Sequence, residues 1–164
     1  LVHSFHAYQR LFNADSQLVW VGSAGGMASY RLRLKKQVET LGLREVYFTG
    51  YVSQRELVAR YLAGDIFIST SEHEGFCVPV LEAFLYRRPV IALASAGLPE
   101  TVGDAGLLLP EMDPLIFAAA IDRVRRDSAL REALVNRGRM RIQDQFGLER
   151  TSRILRQWVE ELLA

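Results

Sequence analysis

The chain has 164 residues, of which 49% are hydrophobic, and this is enough to bury one core of ordinary size. Its 20 basic and 19 acidic residues give a formal net charge of +1, which excludes a bulk field that attracts nucleic acid, so any anion site must be local. A single cysteine, Cys77, excludes an internal disulfide and favours a reducing compartment, and no apolar run approaches the roughly 20 residues that span a bilayer.

In chain order, the predicted elements begin with an amphipathic helix over Leu1 to Phe12, after which strands and helices alternate. A helix is predicted over Arg31 to Leu41, and Ser53 with Glu56 predicts a capping box that opens the next helix. From Pro114 onward the strands stop and three helices follow. Short segments rich in β-branched and aromatic residues predict five buried strands: Gln17 to Gly22, Val46 to Gly50, Asp65 to Thr70, Pro89 to Leu93 and Gly106 to Leu109.

This alternation predicts an α/β fold, a Rossmann-like parallel sheet with helices on both faces and a helical C-terminus. The first strand of a doubly wound sheet lies near its middle, yet no predicted strand precedes the helix at Leu1 to Phe12. We therefore expect residues 1–164 to form one domain that lacks its first strand. Its sheet would then contain a gap, take a strand from another chain, or rearrange.

The segment SEHEGFCVPVLEAFLYRRPVIA places two glutamates, Glu74 and Glu82, eight positions apart on the two sides of a predicted helix start. Proline is favoured at the first position of a helix because its ring fixes φ and it has no N–H group to leave unpaired. The helix is therefore predicted to begin at Pro79. Glu82, about one turn into an apolar helix, needs hydrogen-bond donors, and the two hydroxyls of a ribose would serve. Glu74, on the loop before the helix, would face the other end of the same ligand.

Between the two glutamates, the predicted helix start offers a binding site for a phosphate or diphosphate. The backbone N–H groups of Phe76, Cys77 and Val78 lie at the positive end of the helix dipole, and Gly75 lets the backbone approach a ligand closely. Two acceptors that flank a phosphate-binding site suit a nucleotide sugar. The pattern therefore predicts a nucleotide-sugar site.

Several motifs in the chain resemble those of a known family. The run E-G-F-x-x-P-x-x-E-A, followed by PVIA and GLPETVGDAGLLL, resembles the donor-binding half of retaining GT-B glycosyltransferases of family 4, whose E-x7-E signature the glutamates match. VWVGS, FTGYVSQREL and ARYLAGDIFISTSEHEGF extend the resemblance over nearly the whole chain. That family assembles lipopolysaccharides, capsules and glycolipids. The resemblance implies transfer of a hexose, with retention of anomeric configuration, to a glycan or lipid-linked acceptor.

The resemblance also implies roles for single residues. Glu74 would be the catalytic-site residue, binding hexose hydroxyls, and Glu82 would hold the ribose, while Gly75 and the three amides of residues 76–78 would contact hexose and phosphates. Tyr51 and Val52 would lie along the base, and Gly22 would let backbone approach the donor. No cofactor or metal is implied. The substrate would be GDP-mannose, which SEHEGFCVP favours, or a UDP-linked sugar.

Some features depart from the family's pattern. The family usually has a strand that carries an arginine and a lysine before the first helix, and an N-terminal acceptor-binding domain, and neither is in this sequence. We therefore expect the chain alone to transfer no sugar. A non-catalytic nucleotide-sugar binding module or an inactive fragment is the alternative function. VGSAGG, from Gly22 to Gly26, carries only part of a dinucleotide-binding fingerprint and gives a weak oxidoreductase alternative.

The expected partners are a nucleotide-sugar donor and, through the absent domain, the acceptor. The C-terminal helices are rich in arginine, but acidic residues interleave with the arginines, so a solvated face is favoured over peripheral membrane contact. Nothing at the start of the sequence resembles a secretion signal. A cytoplasmic location is expected, with the inner face of the membrane as an alternative.

Overall fold

The computed structural model describes residues 1–22 and 28–163. The five predicted strands and seven predicted helices are all present, and a short helix that was not predicted, α5, follows the fourth strand. Residues 23–26 of the VGSAGG motif lie outside the described residues. In chain order the elements are α1 (Val2–Leu11), β1 (Leu18–Val21), α2 (Ala28–Thr40), β2 (Val46–Gly50), α3 (Gln54–Ala63), β3 (Phe67–Ser69), α4 (Val78–Leu85), β4 (Val90–Leu93), α5 (Leu98–Val102), β5 (Gly106–Leu109), α6 (Pro114–Arg126), α7 (Ser128–Gln145) and α8 (Leu148–Leu163).

The strands pair in parallel, as predicted, but they form two sheets. β1 pairs with β2, and β3, β4 and β5 form a separate sheet in the order β3-β4-β5. Within residues 1–22 and 28–163, no strand pairing joins β1 to β3. A doubly wound sheet places its first strand between these two. Among the described residues, β1 and β3 are therefore not neighbours in one sheet.

Side chains alternate between the two faces of a sheet along each strand, so both faces of the three-stranded sheet carry apolar side chains. Helices cover both of these faces. Ile91 and Leu93 of β4 pack into a first core cluster with the buried residues of α1 and α6, including Phe5 and Phe117. Val90 and its neighbour Ala92 point the other way and pack into a second core cluster. The buried residues of the second core cluster are Cys77, Val80, Ala83, Phe84, Val90, Ala92, Leu98, Val102 and Ala105.

The start of α3 confirms the predicted capping box. The Ser53 hydroxyl accepts a hydrogen bond from the Glu56 amide at 3.3 Å, and the Glu56 carboxylate accepts one from the Ser53 amide at 2.8 Å. The Ser53 hydroxyl also donates to Glu56 Oε2 at 2.7 Å, and this bond, with the one from the Ser53 amide, holds the pKa of Glu56 below its usual 4.5. The folded state therefore keeps this contribution above that value and loses it as the pH falls through the lowered pKa.

Replacing Ser53 by alanine should lower the free energy of unfolding by about 1 kcal/mol, because one helix-terminal amide loses its acceptor. Urea unfolding at pH 7 measures this change, and Gln54→Ala, an exposed position in the same turn, is the matched control. The difference between Ser53→Ala and the unsubstituted chain should shrink at acid pH, where Glu56 is protonated. Equal stability of both variants and the parent at pH 7 would contradict the stabilising role of the box.

Candidate functional site

The candidate site is built on residues 70–77, called the site loop here, and on the first turns of α4. The sequence predicts that Pro79 is the first residue of this helix. Helix α4 instead begins at Val78, and Pro79 takes the second helical position. The reason is the backbone of Cys77, whose φ of 54° and ψ of 65° turn the chain into the helix one residue earlier. A helix start of this kind leaves amides without partners inside the helix.

Of the three predicted amides, two belong to exposed residues and one to a buried residue. Within the described residues, the backbone N–H groups of Phe76, Cys77 and Val78 donate no hydrogen bond. Phe76 and Val78 are 46% and 56% exposed, whereas Cys77 is buried in the second core cluster. Amides at a helix start, together with the helix dipole, favour an anion. The arrangement can therefore bind a phosphate group.

The Cys77 side chain is not suited to nucleophilic chemistry. Burial raises the pKa of its thiol, and the negative charge of Glu74 raises it further. The protonated thiol is a poor nucleophile. This agrees with the sequence-based interpretation that residue 77 acts through its backbone.

The Glu82 carboxylate is half-buried and is held by a tyrosine from α3. The Tyr61 hydroxyl lies 2.9 Å from Glu82 Oε2 and 3.1 Å from the carbonyl oxygen of Pro79. Burial raises the pKa of Tyr61, and the hydrogen bond to Glu82 raises it further, so the phenol remains a proton donor. The sequence analysis did not single out Tyr61, since a contact between residues 21 positions apart has no local signal.

A second segment, residues 95–101, holds the site loop through hydrogen bonds to its backbone. The carbonyl groups at 72, 74 and 76, every second one along the loop, each accept a hydrogen bond from it. Gly97 is required there for steric reasons, because a Cβ atom at this position would lie 1.8 Å from the carbonyl oxygen of Gly75. The three bonds run from Ser95 Oγ to Glu72 O (2.8 Å), from Gly97 N to Glu74 O (2.9 Å) and from Thr101 Oγ1 to Phe76 O (2.7 Å).

Helix α7 supports this arrangement through Arg141. Its guanidinium donates from Nε to the carbonyl oxygen of Thr101 at 2.8 Å and also donates to the carbonyl of Glu100. The same group lies over the ring of Phe146, which in turn meets Phe76 edge to face at 5.3 Å. Thr101 thus supports the site loop through its hydroxyl and is itself held through its carbonyl group.

The remaining predicted residues form a second group at the carboxyl ends of β1 and β2. Gly22 has a φ of 121° and forms an isolated bridge with Gly50, and Val52 is half-buried. The Tyr51 side chain is 89% exposed. This group lies on the two-stranded sheet, whereas Glu74 to Val78 and Glu82 lie beside the three-stranded one. No backbone pairing within the described residues joins the two sheets.

Residues 1–22 and 28–163 contain no group of three or more His, Cys, Asp or Glu side chains arranged to hold a metal ion. In the same ranges, every helix is too short or too polar to cross a membrane.

Solved structures define the class of this fold. Sucrose-phosphate synthase from Thermosynechococcus elongatus superposes with a TM-score of 0.83 and 30% identity, over 99% of this chain and 42% of that one. Anabaena HepE in complex with UDP-glucose gives 0.83 at 21% identity, over 98% and 44%. The C-terminal domain of a glycosyl transferase group 1 family protein from Francisella tularensis gives 0.76 at 24%, over 90% and 77%. The fold is the Rossmann-like C-terminal domain of GT-B enzymes.

The family follows from the sequence itself. Residues 1–141 match the family Glycosyl transferases group 1, and the chain belongs to it. The O-antigen chain mannosyltransferase B of Escherichia coli is 36% identical over 104 residues, which are 62% of this chain and 27% of that protein. A D-inositol 3-phosphate glycosyltransferase of Corynebacterium jeikeium is 37% identical over 116 residues, or 69% and 28%. The chain thus spans just over a quarter of the length of these two relatives.

Proposed function

We propose that this chain is the donor-binding part of a glycosyltransferase that transfers a hexose, with mannose favoured, from a nucleotide-diphosphate sugar with retention of anomeric configuration. The observation that carries the proposal is the start of α4, where three amides free of described partners lie between Glu74 and Glu82. The complex of Anabaena HepE with UDP-glucose supports a nucleotide-sugar donor, and the E. coli mannosyltransferase supports the choice of hexose.

In the proposed complex, the diphosphate accepts hydrogen bonds from the amides of residues 76–78. Glu74 accepts from hexose hydroxyls and Glu82 accepts from the ribose diol. The base lies along Tyr51 and Val52, beside Gly22. As the sugar leaves, charge develops on the diphosphate, and donors already aimed at that position stabilise the transition state. The proposal includes no cofactor or metal.

The gap between β1 and β3 belongs to the same proposal. Both strands present an edge with no partner within the described residues, and a strand from a segment outside this sequence would fill it. The matched region is just over a quarter of each relative's length, so a parent protein of similar length would contain room for that segment and for an acceptor-binding domain. Such a strand would also bring the cations that balance the diphosphate. This chain alone would then transfer no sugar, and the gap favours donor binding without catalysis as its separate activity.

Titration calorimetry without added metal tests donor binding, with UDP, GDP, UDP-glucose and GDP-mannose as ligands. Saturable binding of one base series is expected. Glu82→Ala should weaken nucleotide binding by about 1–3 kcal/mol, since the hydrogen bonds from the ribose hydroxyls to a charged carboxylate are lost. Glu111→Ala, which removes an exposed carboxylate after β5, is the matched control and should leave affinity unchanged.

Two results would contradict this proposal. A folded chain that binds none of the four ligands does not form a donor site by itself. Binding that is equally tight in Glu82→Ala and in the unsubstituted chain would remove Glu82 from the site, even if the nucleotide binds elsewhere.

A further inference from the structure

We propose that Tyr61 is a positioning residue for Glu82: its hydroxyl fixes one carboxylate oxygen so that the other faces the ligand. This inference rests on the proposed function, in which Glu82 holds the ribose. Tyr61 comes from α3, whereas Glu82 lies on α4, so the contact joins two elements of the fold.

The hydrogen-bond geometry gives the hydroxyl one preferred acceptor. Tyr61 Oη is 2.9 Å from Glu82 Oε2 and 3.1 Å from the carbonyl oxygen of Pro79. A phenol has a single proton, and an ionised carboxylate is a stronger acceptor than a neutral carbonyl. The proton therefore goes to Oε2. Within the described residues, Glu82 Oε1 accepts no hydrogen bond, so it is available to a diol.

The tyrosine is itself held in place, which makes it an effective support. Its ring stacks on Tyr86 with centroids 5.3 Å apart and packs against Phe67 at 6.0 Å. A glutamate side chain has several rotatable bonds, and ordering them during ligand binding would cost conformational entropy. Because the hydrogen bond to Tyr61 orders the carboxylate beforehand, the ligand meets an acceptor already in position.

The test compares hydroxyl deletions in titration calorimetry. Tyr61→Phe keeps the stacked ring and removes only the hydroxyl. Tyr86→Phe is the matched control, because its ring belongs to the same stack and its hydroxyl makes no hydrogen bond to a described residue. The ligands are whichever of UDP or GDP binds the unsubstituted chain and the 2′,3′-dideoxy analogue of that nucleotide. Each variant is also measured in the Glu82→Ala background, which removes the carboxylate.

Tyr61→Phe should raise the Kd of the ribonucleotide about 5- to 10-fold, the usual effect of losing one ordinary hydrogen bond. The Kd of the dideoxy analogue should not change, and neither should the Kd of either ligand in Tyr86→Phe. In the Glu82→Ala background, where the hydroxyl has no carboxylate to position, the effect of Tyr61→Phe should vanish, since the two residues act as a unit.

Three results would overturn the positioning role. Tyr61→Phe could leave the ribonucleotide Kd unchanged, weaken both ligands equally, or retain its effect in the Glu82→Ala background; in each case the hydroxyl does not act through Glu82. Failure of the proposed function looks different, because Glu82→Ala alone then leaves the ribonucleotide Kd unchanged, or no nucleotide binds. Either of these findings removes the positioning role as well.

Discussion

Replacing Gly97 by alanine should lower the free energy of unfolding by about 3 kcal/mol, at the upper end of the usual cost of overpacking. The added Cβ would lie 1.8 Å from the carbonyl oxygen of Gly75 and 3.1 Å from that of Glu74. Both contacts are with backbone, which cannot rotate away as a flexible side chain would. The site loop must therefore shift, and the hydrogen bond from the Gly97 amide to Glu74 is strained or lost.

Under the proposed function, a shifted site loop should also weaken nucleotide binding, roughly 10- to 100-fold, since the amides at 76–78 would move away from the phosphates. Thermal unfolding and titration calorimetry measure the two effects. Gly75→Ala is the matched control for stability, because its Cβ would meet no atom within 4 Å. If Gly97→Ala unfolds at the same temperature as Gly75→Ala, residues 95–101 do not set the shape of the site loop.

Replacing Phe84 by alanine should have the largest effect on stability, a loss of about 3–5 kcal/mol. Phe84 is 1% exposed and lies in the second core cluster, on the helix that carries Glu82. Its ring packs against α7 at Gly138, where a Cβ would come within 2.5 Å of the ring. Truncation leaves a cavity between α4 and α7 that the close approach of these helices cannot refill.

Urea unfolding of Phe84→Ala measures this loss, and Leu85→Ala is the matched control. Leu85 is the next residue of α4 and is 60% exposed, so its truncation should change stability by about 0.5 kcal/mol or less. Similar losses in the two variants would mean that α4 is not anchored through its buried face.

The order and type of the strands and helices could be predicted because they have local signals. The capping box at Ser53 and Glu56 and the β-branched segment Val46–Gly50 need no tertiary information. Helix α5 was missed since it spans only five residues, fewer than hydrophobic periodicity can resolve. Strand β3 is three residues long, whereas Asp65 to Thr70 was predicted, and among the described residues it pairs only with β4.

The candidate site was predicted as a set of ligand-facing groups, without the residues that support them. Glu74, Glu82 and the amides follow from the spacing around one predicted helix start. The supporting contacts of Tyr61, Ser95 and Arg141 join residues 21 to 41 positions apart, and such contacts are set by the folded backbone. A single sequence has no periodic or spacing signal for them.

The hydrogen bonds to the carbonyls at 72, 74 and 76 separate the shape of the site loop from its side chains. The loop is held through its backbone. The side chains of His73 and Phe76 in the loop, and of Val78 directly after it, are exposed. Substitutions at these three positions can change what the loop contacts without removing any of those bonds. A scaffold of this kind can diversify in ligand preference by point mutation, and under the proposed function positions 73, 76 and 78 are where a selection for altered sugar preference should first be randomised.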